Sequence, residues 1–136
     1  MRIRDKIKKP QRPVVAYEIL PPREKDGTLN SYAETISSLL SQTHIDAINI
    51  PEVLDEAGRG DRPIANYKRG EPREFGRLLQ DIVGIEAIIN RVVVHDDYDT
   101  QMKWFEETNK VYEIENMIIV GGESSDVEYP GPTVNQ

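Results

Sequence analysis

Four short apolar segments, rich in β-branched residues, recur along the chain at intervals of about 30 to 40 residues, the length of one strand and one helix. They cover residues 14–20, 45–50, 85–94 and 117–120. Because they are apolar without strict alternation, they are typical of strands that are buried on both faces, as in parallel sheets. The pattern therefore predicts four parallel strands.

Three helical patterns fill the gaps between these segments. The helices are expected to start near Asn30, at Pro72, and at Asp99 or Thr100, since these residues suit an N-cap or a first helical turn. The residues predicted to face the core are Ala33, Ile36, Leu39 and Leu40 in the first helix, Phe75, Leu78, Leu79 and Ile82 in the second, and Met102, Phe105 and Tyr112 in the third. The order β-α-β-α-β-α-β predicts an α/β fold with a parallel sheet and right-handed crossovers.

Length and composition narrow the classes of protein that fit. The chain has 136 residues, enough for one domain with its own core, whereas a complete eight-unit barrel takes about 250 residues. It has no cysteine, which excludes a disulfide framework, a thiolate metal site and a cysteine nucleophile. No stretch is apolar enough for a membrane span or a signal peptide, so the cytoplasm is the expected compartment.

The charge is divided unevenly along the chain. Residues 1–12 carry six basic side chains and one acidic one, while the rest holds 11 basic and 23 acidic side chains. A main domain this acidic repels phosphates, which argues against a nucleic-acid partner. We treat residues 1–13 as a separate basic arm and 14–136 as the domain. The arm either is solvated, which is the commoner case, or contacts an anionic partner.

Glu18 is the most informative polar residue. It interrupts the first apolar strand, and Pro21 and Pro22 follow almost at once and end that strand. A carboxylate near the carboxyl end of a strand points to the mouth of a site, and partial burial there would suit it to donate a proton. The alternative is a structural glutamate paired with an arginine such as Arg91, and the residues alone weigh the two equally.

Three further polar interruptions fall near the carboxyl ends of the other strands: Asn49, Arg91 and Glu123. Asn49 is expected to face the pocket or to satisfy a neighbouring backbone group. A buried arginine needs an anionic partner, and for Arg91 a protein carboxylate is favoured over a bound anion. Since the carboxyl ends of parallel strands share one edge, we expect all four side chains to gather there.

Two loops carry the remaining candidates. Gly121 and Gly122 follow the fourth strand and precede Glu123, Ser124 and Ser125. Such glycines let backbone N–H groups approach a flat ligand or a phosphate, although a plain glycine turn explains them equally well. The long segment 51–71 contains Arg59, Asp61 and Arg62, which would bind an anionic cofactor or substrate tail or lie solvated. Tyr129 lies before a stiff Pro-Gly-Pro turn, where its ring either covers a ligand or packs on the turn.

The histidines and serines support neither a metal site nor a hydrolase. His44 precedes the second strand and His95 follows the third, so no metal-ligand spacing emerges. Ser124 and Ser125 have no evident histidine–carboxylate relay.

The sequence resembles the methylenetetrahydrofolate reductase family from about residue 14 onward. That family starts with a strand reading approximately FEFFPP followed by a basic residue, and here residues 17–23 read YEILPPR. The family has an arginine-rich turn after its second strand, which Arg59 to Arg62 match loosely here. Its fourth strand ends in a glycine and an acid, and Gly122 and Glu123 occupy those positions here. The chain departs from the family in Pro51 and Glu52, in Arg91 where the family has a histidine, and in Glu123 where it has an aspartate.

The resemblance implies the first half of a TIM-type (β/α)₈ barrel that binds FAD. It implies an oxidoreductase in which hydride passes from NAD(P)H through the flavin to the methylene carbon of a folate. Glu18 would protonate the folate nitrogen as its ring opens, and Glu123 would orient the flavin. Gly121, Gly122, Ser124 and Arg91 would contribute to the cofactor site, and Asn49 and Arg62 to the substrate site.

Only four of the family's eight strands fall within these 136 residues. We therefore expect the chain to be incomplete alone, and to pair with a complementary C-terminal half or with a second copy. Two other hypotheses stay open. One is a non-catalytic folate- or flavin-binding accessory subunit of a one-carbon or methyl-transfer complex. The other is a small doubly wound sheet, in which the first strand would lie in the interior of the sheet.

Overall fold

The computed structural model describes residues 2–53, 68–122, 126 and 128–136. It is an α/β fold in which helices alternate with four parallel strands. The strands are β1 (Ala16–Glu18), β2 (Ala47–Ile50), β3 (Ala87–Val92) and β4 (Asn116–Val120). The helices are α1 (Ile3–Lys8), α2 (Leu29–Leu40), α3 (Pro72–Val83) and α4 (Tyr98–Lys110), with 3₁₀ turns at Glu24–Asp26 and Val93–His95.

The predicted strands and helices are confirmed, and three helix starts are set by capping residues. Pro72 opens α3 as predicted, and Glu71 caps it by accepting a hydrogen bond from the Arg73 backbone. The cap of α2 is Thr28 rather than Asn30, and the cap of α4 is Asp97 rather than Asp99 or Thr100. In α4 the Asp97 carboxylate accepts from the Thr100 backbone N–H at 2.9 Å.

The strands lie in the order β1-β2-β3-β4, and every pair of neighbours is parallel. Among the described strands β1 lies at one edge and β4 at the other. A doubly wound sheet with an interior first strand is therefore not the arrangement found. Sequential order is the arrangement that a singly wound α/β sheet produces, because each crossover advances by one strand in the same direction.

One face of the sheet is covered by helices and forms the core. Ile48, Ile50 and Ile89 are fully buried there and belong to one cluster with Phe75 of α3. Gly76 lets α3 come this close, because a Cβ atom at that position would lie 3.1 Å from the Ile89 Cδ1. Burial of each of these large side chains stabilises the fold by about 1.5–3 kcal/mol.

Three residues predicted to face the core are exposed: Leu39, Ile82 and Met102. In α4 the buried positions are instead polar. The Gln101 amide donates to the Val93 carbonyl at 3.0 Å, and the Thr108 hydroxyl donates to the Trp104 carbonyl at 2.7 Å. A polar residue whose donors are satisfied inside the fold can be buried, which a purely apolar pattern cannot reveal.

The other face of the sheet, which we call the open face, is uncovered toward its β1 and β4 edges. Register places Glu18 beside Asn49, Asn49 beside Ile88, and Asn90 beside Ile118, and side chains alternate between faces along each strand. Glu18 is exposed and Ile118 is 45% exposed. The prediction that the strands are buried on both faces is therefore wrong for the described part of the chain.

The basic arm folds back onto the amino-terminal edge of the sheet, so the interpretation of a solvated arm is wrong. Ile3 of α1 is buried. Arg12 donates to both carboxylate oxygens of buried Asp46, at 2.9 and 2.8 Å, and Lys6 donates at 2.9 Å. The Val15 backbone N–H also donates to Asp46. Together with Arg12 and Lys6, it holds the pKa of that carboxyl well below its usual range.

Candidate functional site

Glu18 and Asn49 form the centre of the candidate site, at the carboxyl ends of β1 and β2. Glu18 ends β1, and register places Asn49 directly beside it. The Asn49 Nδ2 donates a hydrogen bond to the Glu18 Oε2 at 3.1 Å. This pair confirms that the two predicted residues meet at one edge of the sheet.

The environment of Glu18 differs from the prediction in one respect. The side chain is exposed rather than partly buried, because nothing in the described chain covers this end of the open face. The alternative of a Glu18–Arg91 ion pair is also not found, since Arg91 pairs with other carboxylates. The hydrogen bond from Asn49 leaves the Glu18 Oε1 as the carboxylate oxygen that a ligand could contact.

Asn90 is a site residue that the sequence analysis missed. It lies on β3, one strand across from Asn49 and two residues farther toward the carboxyl edge, on the same open face. Its Oδ1 atom is buried without a hydrogen-bond donor, and so is the Oδ1 atom of Asn49. A buried acceptor left unpaired costs about 1–3 kcal/mol, and two on one face indicate that donors are supplied from outside the described residues.

Arg91 lies on the helix-covered face and is held by the protein's own side chains. Its guanidinium donates to Glu52 and Asp96, each at 2.7 Å, and to Gln101 at 3.0 Å. It also stacks 4.7 Å above the centre of the Trp104 ring. The favoured alternative, a protein carboxylate as the partner of Arg91, is therefore the one found. These contacts occupy the guanidinium nitrogens that a cofactor anion would need.

Glu52 completes this cluster and ties β2 to β3. Its Oε1 accepts from Arg91, and its Oε2 accepts from the Val92 backbone N–H at 2.9 Å. Glu52 thus has a structural role at the end of β2. It fixes the start of the long loop against the end of β3.

A cavity of about 680 Å³ lies beside this cluster rather than over Glu18. It is bordered by the residues that follow β1 and β2, by the start of α3 and by Trp104. Asn90 and Arg91 also line it, whereas Glu18 and Asn49 do not. We place the candidate site at the polar side chains of the open face, where the predicted residues Glu18 and Asn49 meet, because neither of them lines the cavity.

The glycines after β4 make room for an aromatic ring of the same chain. A Cβ atom on Gly122 would lie 2.2 Å from a ring carbon of Tyr129, and that ring also meets His95 edge to face at 5.7 Å. Gly131 donates its backbone N–H to the Val94 carbonyl at 2.8 Å and so anchors the segment that carries Tyr129. The space beside Gly122 is therefore filled by the Tyr129 ring.

The remaining predicted residues lie outside the described residues. They are Arg59, Asp61 and Arg62 in the long loop, and Glu123, Ser124 and Ser125 after β4. Their roles in the cofactor and substrate sites stay predictions.

No protein-family model matches the chain, and no curated protein matches it.

Of the helices within the described ranges, none has the length and apolar character needed to cross a membrane.

Proposed function

We propose that the chain contributes the catalytic acid and the first four β/α units of a flavin-dependent oxidoreductase that resembles 5,10-methylenetetrahydrofolate reductase. The observation that carries the proposal is the Glu18 carboxylate, which stands on the open face at the carboxyl end of β1 with one oxygen held by Asn49. Active sites of α/β barrels assemble at this end of the strands.

The sheet supports a barrel interpretation of this function. Its strands run parallel in sequential order, and α3 packs on one face of β2 and β3. Further strands beside β4 and β1 would close such a sheet into a (β/α)₈ barrel, with the open face turned inward. The apolar side chains on β4, among them Ile118 and Val120, would then become part of the barrel interior.

In this barrel Glu18 would protonate the folate nitrogen whose bond to the methylene carbon breaks. Asn49 holds the Oε2 atom and leaves the Oε1 atom to carry the proton. Strands that close the barrel would shield the carboxylate from water and restrict its motion, as a positioned proton donor requires.

An unpaired amide oxygen on this face fits a flat ring with an N–H donor on its edge, and both the isoalloxazine ring of FAD and the pterin ring of a folate carry such a donor at N3. When bound, FAD would supply the hydride transfer from NAD(P)H to the folate methylene carbon. The role of this chain is to orient the rings and to hold the proton.

The proposal is tested first by the absorbance of the purified chain after addition of FAD, alone and with the complementary half where one is found. A flavin spectrum that is retained on gel filtration supports the reductase. Protein that stays colourless but binds a folate contradicts the reductase and favours the non-catalytic accessory subunit.

The second test separates the two half-reactions of the flavin-loaded protein. Glu18→Gln should reduce the rate of folate reduction by about 10²–10⁴-fold, the usual contribution of a positioned acid, and leave flavin reduction by NAD(P)H within about twofold. Glu34→Gln, which changes an exposed glutamate on α2, is the matched control. Equal loss of both half-reactions in Glu18→Gln would remove the proposed role of this residue.

A further inference from the structure

The carboxyl end of the open face presents hydrogen-bond acceptors that lack donors. Asn49 and Asn90 each have an amide oxygen that is buried and receives no hydrogen bond. The Asn49 amide nitrogen is already committed to Glu18, which fixes the direction of that side chain. The unpaired oxygen of Asn49 is therefore a consequence of the contact that positions the acid.

The neighbouring cation does not supply the missing donors. Arg91 follows Asn90 in the chain, but alternation along β3 turns it to the opposite face. There it donates to Glu52, Asp96 and Gln101. The oxygen of Asn90 is thus left for a donor that approaches from the open face.

The spacing of the two asparagines suits a single flat ligand. They lie on adjacent strands and are offset by two residues, so their Cα atoms are about 8 Å apart at ordinary strand spacing and rise. This is comparable to the length of a fused two- or three-ring heterocycle. Both side chains are half-buried. Asn49 is held by Glu18, whereas the terminal torsion of Asn90 is broad and lets its oxygen turn toward such a ring.

We infer that Asn90 is a ligand-binding residue of this site and that its amide oxygen accepts a hydrogen bond from an N–H group on the edge of a planar heterocycle lying on the open face beside Asn49. The inference rests on the proposed function and narrows it. The open face therefore favours a ligand ring that donates an N–H group and disfavours an anionic ligand. A flavin and a pterin share this chemistry, and the two are separated by the experiment.

The test compares rings with and without the N–H donor. Binding of lumiflavin and 3-methyllumiflavin, and of 6-methylpterin and its N3-methyl derivative, is followed by ligand fluorescence with the full 136-residue chain. We expect wild-type protein to bind the parent compound of one pair at least about tenfold more tightly than its methylated form, the size of one lost hydrogen bond. The pair that shows this difference identifies the class of ring.

Variants of Asn90 test whether this residue causes the difference in affinity between the parent ring and its methylated form. Asn90→Leu, which removes the acceptor at similar size, should abolish the preference for the parent ring, and Asn90→Asp, which keeps an acceptor, should retain it. Asn116→Leu is the matched control, since Asn116 lies on the same face at the opposite end of the neighbouring strand. Far-UV circular dichroism establishes that each variant is folded.

The outcomes separate this inference from the proposed function. Equal binding of parent and methylated rings by wild-type protein overturns the inference and leaves the reductase proposal standing, whether or not any variant folds. A preference that survives Asn90→Leu also overturns it. Failure of wild-type protein to bind any of the four rings overturns the inference, and the reductase proposal is then decided by the separate test of FAD retention.

Discussion

Arg91 is held on several sides by groups from β2, from α4 and from the turn after β3. Its side chain is 11% exposed and that of its partner Glu52 is 15% exposed, so solvent screens the pair weakly. Replacing Arg91 by Met would keep the stem and leave the Glu52 carboxylate with one hydrogen bond, from Val92. We expect Arg91→Met to lower the free energy of unfolding by about 3 kcal/mol, measured by urea denaturation with circular dichroism.

The matched control is Arg77→Met. Arg77 also bonds two carboxylates, Asp81 and Glu113, but both of these partners are exposed to solvent. Exposed pairs are screened by water, so this change should cost less than about 1 kcal/mol. If Arg91→Met costs no more than the control, the cluster around Arg91 does not hold the loop after β2.

The neighbours Asn90 and Arg91 show why the site could be predicted only in part. The segment 85–94 is almost continuously apolar, so the alternation that separates the two faces of a strand cannot be read from it. Arg91 attracted the prediction because a charge in such a run is conspicuous. The register between β2 and β3 decides that Asn90 is the residue on the open face, and register depends on contacts between distant segments.

The basic arm is a structural element whose attachment depends on one buried carboxylate. Asp46 joins α1 and the segment before β1 to the start of β2 through Lys6, Arg12 and the Val15 backbone. Asp46→Asn keeps the shape but removes the charge. We expect it to lower the thermal midpoint at pH 7 by several degrees, measured by circular dichroism, whereas Asp5→Asn on the exposed side of α1 should leave it nearly unchanged.

The contribution of Asp46 should depend on pH with a definite sign. Since its pKa is lowered in the folded state, the unfolded chain takes up a proton first as the pH falls below about 4. The stabilisation is therefore complete above that pH and is lost progressively in more acidic solution. The difference in urea midpoint between wild type and Asp46→Asn should shrink from pH 7 to pH 3, and a constant difference would contradict this assignment.

At the scale of elements, strands were easier to predict than the caps and the arm. The strands follow from runs of β-branched residues, and Pro72 fixes the start of α3 because its ring suits a first helical turn. Thr28 and Asp97 were missed as caps because several neighbouring residues could serve and the sequence does not rank them. The arm was misjudged because Asp46, its partner, lies 34 residues beyond Arg12.

At the scale of the whole molecule, β4 is an edge strand of the described sheet that leaves large apolar side chains exposed. Ile118 and Ile119 point to opposite faces of this strand, yet they are 45% and 47% exposed. Parallel sheets normally have both faces buried, so an edge strand that exposes apolar side chains on both sides is a surface for pairing with another strand. The sequence predicted this open edge from the number of strands, and the exposure of β4 agrees with it.

We therefore expect the purified chain to associate through β4 as its concentration rises, either with a second copy or with a complementary half. Sedimentation velocity of the chain alone should show an average mass that increases with concentration between about 1 and 100 µM, the range in which exposed edges associate. Ile119→Lys places a charge on the edge strand and should suppress this increase. Val111→Lys, at an exposed apolar position just beyond the end of α4, should not. The contrary outcome is a chain that stays monomeric over the whole concentration range and that no complementary half binds. The β4 edge would then be stable when uncovered, and the half-barrel interpretation would lose its main physical argument.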